Sequence, residues 1–168
     1  MKAVFLLSTF FLSLIFYSTS YACNGPIVCA IKTFNGRYVT AVGGGGRITD
    51  VLHTDARRIG SWEKFTLVDS CDGQSSYINY GFRTVKGFYL TAVGGGGRIT
   101  DVMHSDATWL QAWEKFKTIP LGNNVYAIQT INGRYWTAVG GGGRITDTIH
   151  TDATQINNWE KFTFECGL

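Results

Sequence analysis

The sequence predicts an all-β fold of three four-stranded repeats, and three observations lead to that prediction. Of the 21 Gly in the 168-residue chain, twelve lie in three four-glycine runs at 43–46, 94–97 and 140–143. Each run belongs to a longer repeat, offset by 51 and then 46 residues. Short alternating stretches bounded by turn residues fill each repeat, without a long helical period. Hydrophobic content of 45% with only 16% charged residues excludes a disordered or collagen-like chain.

The first 22 residues are predicted to be a secretory signal peptide. Lys2 precedes an apolar run at 4–16, and Ser20 and Ala22 place small residues at −3 and −1 of a cleavage site. An uncleaved membrane anchor and a lipoprotein anchor on Cys23 are the alternatives, but the run is shorter than the ~20 residues of a span. We therefore expect a secreted protein (extracellular or periplasmic) without a membrane span, with a single domain at 23–168.

Charge and cysteine content narrow the function of that domain. Loss of Lys2 lowers the formal net charge from +3 to +2, and the absence of a basic stripe argues against nucleic acid. Four cysteines after an export signal predict two disulfides, and none has the C-x₂-C spacing of a zinc site. They are Cys23, Cys29, Cys71 and Cys166.

Each repeat is predicted to hold four strands, which the first repeat illustrates in order. Residues 30–33 alternate and end at an Asn-Gly turn at 35–36, a strong hairpin signal. Residues 37–42 form the second strand, and the glycine run turns the chain because glycine readily adopts positive φ. Residues 47–51 form the third strand, and 62–68 form the fourth after a longer polar loop.

Twelve strands in three units predict a β-trefoil with pseudo-threefold symmetry, with repeats at about 28–75, 76–122 and 123–168. A propeller would need four or more blades, and a solenoid would have distinct capping repeats. The termini of a closed trefoil meet, so Cys166 should lie near Cys23 or Cys29. We expect the pairs Cys23–Cys166 and Cys29–Cys71.

The repeat also resembles a known family. Gly-Arg-Tyr-Val-Thr-Ala at 36–41, the glycine-rich turn, and Trp-Glu-Lys-Phe-Thr-Leu-Val at 62–68 are similar to the fascin-like β-trefoil domain. All three copies match, so the resemblance covers roughly 28–166. It implies the trefoil fold, with roles in actin bundling or, in secreted proteins, attachment to carbohydrate-active modules. Cytosolic actin bundling conflicts with an export signal and a single trefoil, and fold alone does not give function.

One polar block of each repeat, residues 40–56 in the first, is more similar among the three copies than the remainder of the repeat is. Between 40–56 and its two equivalents, 14 of 17 positions are identical, whereas the next five residues share nothing in all three copies. Expected core positions also vary, since Val39, Leu90 and Trp136 are equivalent. Packing constrains volume and apolarity rather than identity. We infer that the block is retained for three equivalent binding sites, with local gene conversion as the rival explanation.

The candidate ligand-binding residues are the last three glycines of each run, the next arginine and an Asp-x-x-His-x-Asp motif. Carboxylates can accept hydrogen bonds from sugar hydroxyls, and His or Arg can donate them. The alternatives are turn geometry for the glycines, backbone capping for the Asp residues and Arg–Asp pairing. The candidates are Gly44, Gly45, Gly46, Arg47, Asp50, His53, Asp55, Gly95, Gly96, Gly97, Arg98, Asp101, His104, Asp106, Gly141, Gly142, Gly143, Arg144, Asp147, His150 and Asp152.

Tryptophan, metal and enzyme interpretations complete the candidates. Trp62, Trp113 and Trp159 are expected in the core beside phenylalanines, with stacking on a sugar as the alternative. Trp109, in the variable loop, could line one site only. A divalent ion could be held by one His and two Asp in each repeat, or by three His on the axis. These donors are few and of mixed type, so neither a metal nor another cofactor is predicted. A catalytic centre seldom occurs in three equal copies, so an enzyme is not predicted.

The predicted function is that of a secreted carbohydrate-binding protein (lectin) with three near-equivalent glycan sites, one per repeat, and with glycans or glycoconjugates as partners. The alternative is a secreted protein-binding module, either a fascin-like actin-binding relative or a trefoil inhibitor. An inhibitor presents one asymmetric loop, whereas the threefold identity of the block favours repeated small-ligand sites.

Overall fold

The computed structural model describes residues 23–72 and 77–168. The predicted signal peptide at 1–22 lies outside the described residues. The twelve strands are β1 Ile27–Lys32, β2 Tyr38–Ala41, β3 Leu52–Ala56, β4 Lys64–Asp69, β5 Ile78–Arg83, β6 Tyr89–Ala92, β7 Met103–Ala107, β8 Lys115–Gly122, β9 Val125–Gln129, β10 Tyr135–Ala138, β11 Ile149–Ala153 and β12 Phe162–Cys166. A short 3₁₀ turn occupies Ala112–Glu114, whereas Val42–Gly44, Val93–Gly95 and Val139–Gly141 are tight turns whose glycines have positive φ. No described helix is long and apolar enough to cross a membrane.

Six strands close into a barrel, and the other six form three hairpins. Antiparallel pairing runs β1–β4–β5–β8–β9–β12 and returns from β12 to β1. The hairpins are β2–β3, β6–β7 and β10–β11, so each repeat supplies two barrel strands and one hairpin. This is the predicted β-trefoil with pseudo-threefold symmetry.

The core is aromatic and differs among the repeats, as the sequence predicts. Trp136 is fully buried, and its ring centroid lies 5.6, 5.0 and 6.3 Å from those of Phe82, Phe116 and Phe162. The equivalent residues Val39 and Leu90 are also fully buried. One indole therefore fills the space that smaller side chains occupy in the other repeats.

The prediction of the third strand is wrong in its position. Residues 47–51 belong to no strand, with bends at 48–50, and β3 begins only at Leu52. Asp50 adopts a left-handed φ of 49°, which interrupts an extended strand at that residue. Each of the other predicted strands overlaps an observed one, with ends that differ by one to three residues.

The four cysteines form two disulfides, but the predicted pairing is wrong. The observed bonds are Cys23–Cys71 and Cys29–Cys166. Cys29 in β1 is the direct register partner of Cys166 in β12, with the Cα atoms 4.0 Å apart. The expected meeting of the termini is confirmed, but strand register assigns Cys166 to Cys29 and leaves Cys23 to Cys71.

Candidate functional site

The turn in each polar block uses all four glycines. In the first run φ is 65°, 79°, 98° and 83°, and the other two runs have positive φ throughout. Gly45 also has ψ of −178°, a combination that is essentially confined to glycine. Turn geometry, the alternative to a ligand role, therefore accounts for glycine at all four positions.

The glycine run also packs against the next repeat. A Cβ on Gly45 would lie 2.9 Å from Cβ of Thr84, and one on Gly44 would lie 2.9 Å from Cγ1 of Val85. Gly96 and Gly142 face Thr130 and Thr33 in the same way, so the contact repeats around the molecule. A ligand contact is therefore not required to explain these glycines, and their predicted ligand role stays a prediction.

Backbone hydrogen bonds extend this contact between repeats. Gly46 N donates to Ser105 O at 2.6 Å, and Ser105 N donates to Arg47 O at 2.8 Å. The same two bonds join Gly97 and Arg98 to Thr151, and Gly143 and Arg144 to Thr54. The start of the segment predicted as a strand thus pairs with the hairpin of another repeat instead of its own: the first repeat pairs with β7, the second with β11 and the third with β3.

Arg47, Asp50 and His53 form a hydrogen-bonded cluster. Arg47 Nη2 donates to Asp50 Oδ2 at 3.3 Å, and His53 Nε2 lies 2.7 Å from Asp50 Oδ1. The left-handed backbone at Asp50 places its carboxylate between the two other side chains. Asp50 binds side chains here, so the capping alternative finds no support, whereas the Arg–Asp pairing is confirmed.

The cluster recurs almost unchanged in the other repeats. Arg98 Nη2–Asp101 Oδ2 is 3.4 Å and His104 Nε2–Asp101 Oδ1 is 2.9 Å. The corresponding distances for Arg144, Asp147 and His150 are 3.3 and 2.6 Å. Each of the three carboxylates is about half exposed. Each repeat therefore presents the same polar group to solvent.

Hydrogen-bonding capacity is left over for a ligand. Because an ionised carboxylate only accepts, Nε2 of His53 must carry the proton, and Nδ1 of the neutral ring is then an acceptor. Arg47 Nε donates to Thr49 O at 3.2 Å, while Nη1 makes no hydrogen bond to any described residue. Each cluster thus offers Nη1 as a donor and both Nδ1 and the carboxylate as acceptors.

Asp55 is near the cluster without being bonded to it. In β3, Leu52 and Thr54 are buried, whereas His53 and Asp55 alternate with them toward solvent. Two strand residues span roughly 6.6 Å, so Asp55 lies farther along the same face. Its exposed carboxylate, like those of Asp106 and Asp152, accepts no hydrogen bond from described residues.

The described residues contain no group of three or more His, Cys, Asp or Glu side chains that could hold a metal ion. The three histidines accordingly do not converge on the axis as a metal site. Each is instead bound to the aspartate of its own repeat.

The predicted burial of three tryptophans is wrong. Trp62, Trp113 and Trp159 are 47%, 49% and 48% exposed. The following glutamate is the buried member of the motif: Glu63 accepts from Thr40 Oγ1 at 2.7 Å and from Gly60 N at 2.7 Å. Glu114 and Glu160 make equivalent pairs of bonds. The Trp is thereby held at the surface, where its ring is accessible for stacking.

Comparison with known proteins supports the fold. No protein-family model and no curated protein matches the chain. The agglutinin of Rhizoctonia solani superposes with a TM-score of 0.66 at 11% identity, over 86% of this chain and 97% of that one. The BEL β-trefoil gives 0.63 at 12% identity, over 89% and 98%. The Polyporus squamosus lectin bound to the epitope Neu5Acα2-6Galβ1-4GlcNAc gives 0.60 at 16% identity, over 86% and 50%.

At identities this low, these similarities establish the fold alone, so the chain is a β-trefoil protein. The fascin-like resemblance is not confirmed, because no family model matches.

Proposed function

We propose that this chain is a secreted carbohydrate-binding protein (lectin) with three near-equivalent glycan sites, one per repeat. The observation that carries the proposal is the Arg–Asp–His cluster, which occurs three times at the surface with nearly the same distances. The proposed ligand contacts in the first repeat are Arg47, Asp50, His53 and Asp55. The glycine run supports them by fixing the path of the chain.

The cluster has the groups that neighbouring sugar hydroxyls require. A hydroxyl donates one hydrogen bond and accepts others, so it can donate to Asp50 or to His53 Nδ1 and accept from Arg47 Nη1. Hydrogen bonds to charged groups are stronger than neutral ones. Because Arg47 and His53 already hold Asp50 in place, little side-chain freedom is lost when a sugar binds.

Three weak sites on one rigid body gain avidity for multivalent glycans, which gives the repetition a purpose. Two of the structural neighbours are an agglutinin and a lectin with a bound sialylated epitope, and they support carbohydrate binding as the class of function. The two disulfides and the signal-like N-terminal segment support secretion.

A glycan array, run with and without calcium, tests the proposal. The matched variants are Asp50→Asn, Asp101→Asn and Asp147→Asn, alone and combined. Asn is the suitable replacement because it tolerates the left-handed backbone of these residues. We expect partial loss of avidity in each single variant and loss of binding in the triple variant.

Asp72→Asn is the control, since it removes an exposed carboxylate that pairs with Lys115 outside the clusters. It should leave the array pattern unchanged. An array without hits would contradict the lectin proposal, and full binding by the triple variant would contradict the assignment of the sites.

A further inference from the structure

The three repeats jointly line one cavity, which no single Arg–Asp–His cluster forms by itself. Its volume is about 640 Å³, and its lining comes from 48–52, 99–103 and 145–149, which are equivalent stretches of the three repeats. A cavity with equivalent residues on three sides lies on the pseudo-threefold axis. Its size is within the range of small-molecule sites, roughly 300–1,000 Å³.

The wall of this axial cavity is an exposed ring of isoleucines. Ile48, Ile99 and Ile145 are each 56% exposed, although they are the same residue in all three repeats. Nearby buried positions vary instead, as Leu52 and Met103 show. Core packing does not explain an identical side chain that is mostly outside the core. Apolar surface of this kind stays costly in water unless something covers it.

The floor of the axial cavity, meaning its buried lining residues, is almost wholly apolar. It is formed by buried side chains that include Val51, Val102 and Thr148. The hydroxyl of Thr148 is already satisfied, because it donates to Leu52 O at 2.7 Å. An occupant that reaches this depth should therefore be apolar.

The rim of the axial cavity carries balanced charge. Asp50, Asp101 and Asp147 contribute to the lining, but an arginine of the same repeat lies 3.3–3.4 Å from each carboxylate. Each aspartate charge is thus offset by a neighbouring cation, and the rim does not select for a charged head group. Its remaining donors and acceptors suit neutral hydroxyl or ether oxygens.

The occupant should be narrow and lie along the axis, because the lining consists of equivalent residues from all three repeats. A single chain in that position can contact the three isoleucines at once. We propose that the axial cavity binds the aliphatic tail of a single neutral amphiphile.

A homologous series of alkyl tetra(ethylene glycol) ethers, titrated below their micelle-forming concentrations, tests this proposal by calorimetry. These probes carry no sugar, so the result is independent of the proposed glycan sites. We expect one molecule per chain and a Kd that tightens about fourfold for each added methylene, as burial of one CH₂ predicts. A Kd independent of tail length, or three molecules per chain, would overturn the proposal.

The triple variant Ile48→Ser/Ile99→Ser/Ile145→Ser should lose the tail-length dependence. It should still fold, because these side chains are mostly exposed. Ile131→Ser is the matched control: Ile131 is 58% exposed but does not line the cavity. Unchanged binding in the triple variant, shown folded by circular dichroism, would also overturn the proposal, as would an equal loss in the control.

Discussion

The third glycine of each run should be the most sensitive residue of the turn. Gly45→Ala forces alanine into φ 98° and ψ −178° and brings its Cβ to 2.9 Å from Cβ of Thr84 in the next repeat. Gly43→Ala is the matched control within the same run. Gly43 has φ 65° and ψ 10°, and its nearest neighbour would be the flexible Arg47 side chain at 3.8 Å.

The two substitutions should differ severalfold in cost. For Gly45→Ala, the glycine-only backbone region costs about 1–3 kcal/mol and overpacking against backbone-anchored atoms adds about 1–3 kcal/mol. We therefore expect a loss of about 4 kcal/mol in the free energy of unfolding. Gly43→Ala should lose only about 1 kcal/mol, the cost of a single left-handed alanine.

Urea or guanidinium unfolding of both variants measures these losses, and thermal unfolding should show a drop of about 12 °C against about 3 °C. If Gly45→Ala were no more destabilising than Gly43→Ala, the contact between repeats would not explain the third glycine. A ligand-binding role would then be the better explanation for the run.

Three further predictions concern stability. Glu114→Ala should lower the free energy of unfolding by about 2–4 kcal/mol, because it leaves a buried hydroxyl and a backbone N–H without their acceptor; a loss below 1 kcal/mol in denaturant titration would contradict this. Partial burial raises the pKa of Asp72, but hydrogen bonds, chiefly from Lys115, outweigh this effect and bring the pKa to about 2. The free energy of unfolding should therefore decline as the pH falls from about 4 to 2, and it should decline less in Asp72→Asn. Cys29→Ser/Cys166→Ser should cost about 3–5 kcal/mol, since this bond closes a loop with a sequence separation of 137, and an unchanged unfolding midpoint would refute it.

The fold could be predicted because it depends on signals that repeat. Each copy has its own Asn-Gly or Lys-Gly turn, its glycine run and its Trp-Glu-Lys-Phe strand, so the strand count did not depend on any single boundary. The position of β3 could not be predicted in this way. A left-handed Asp50 and the pairing of Gly46 and Arg47 with another repeat are tertiary features, and local alternation gives no sign of them.

The candidate site was predicted in part. The Asp-x-x-His spacing identified Asp50 and His53, and the structure brings Arg47 to the same carboxylate. The exposure of Trp62 was missed because apolarity alone suggested burial, whereas the hydrogen bonds of the buried Glu63 determine which side chain faces inward. The axial isoleucines were missed because one strand pattern cannot show that three repeats meet at an axis.

The number of sugar molecules bound per chain tests the central claim most directly. Calorimetric titration with the best monovalent ligand from the array should give three per chain, and Asp101→Asn should reduce that number to two without changing the affinity of the remaining sites. A stoichiometry of one per chain, or of three that persists with unchanged affinity in the Asp50→Asn/Asp101→Asn/Asp147→Asn variant, would contradict one glycan site per repeat.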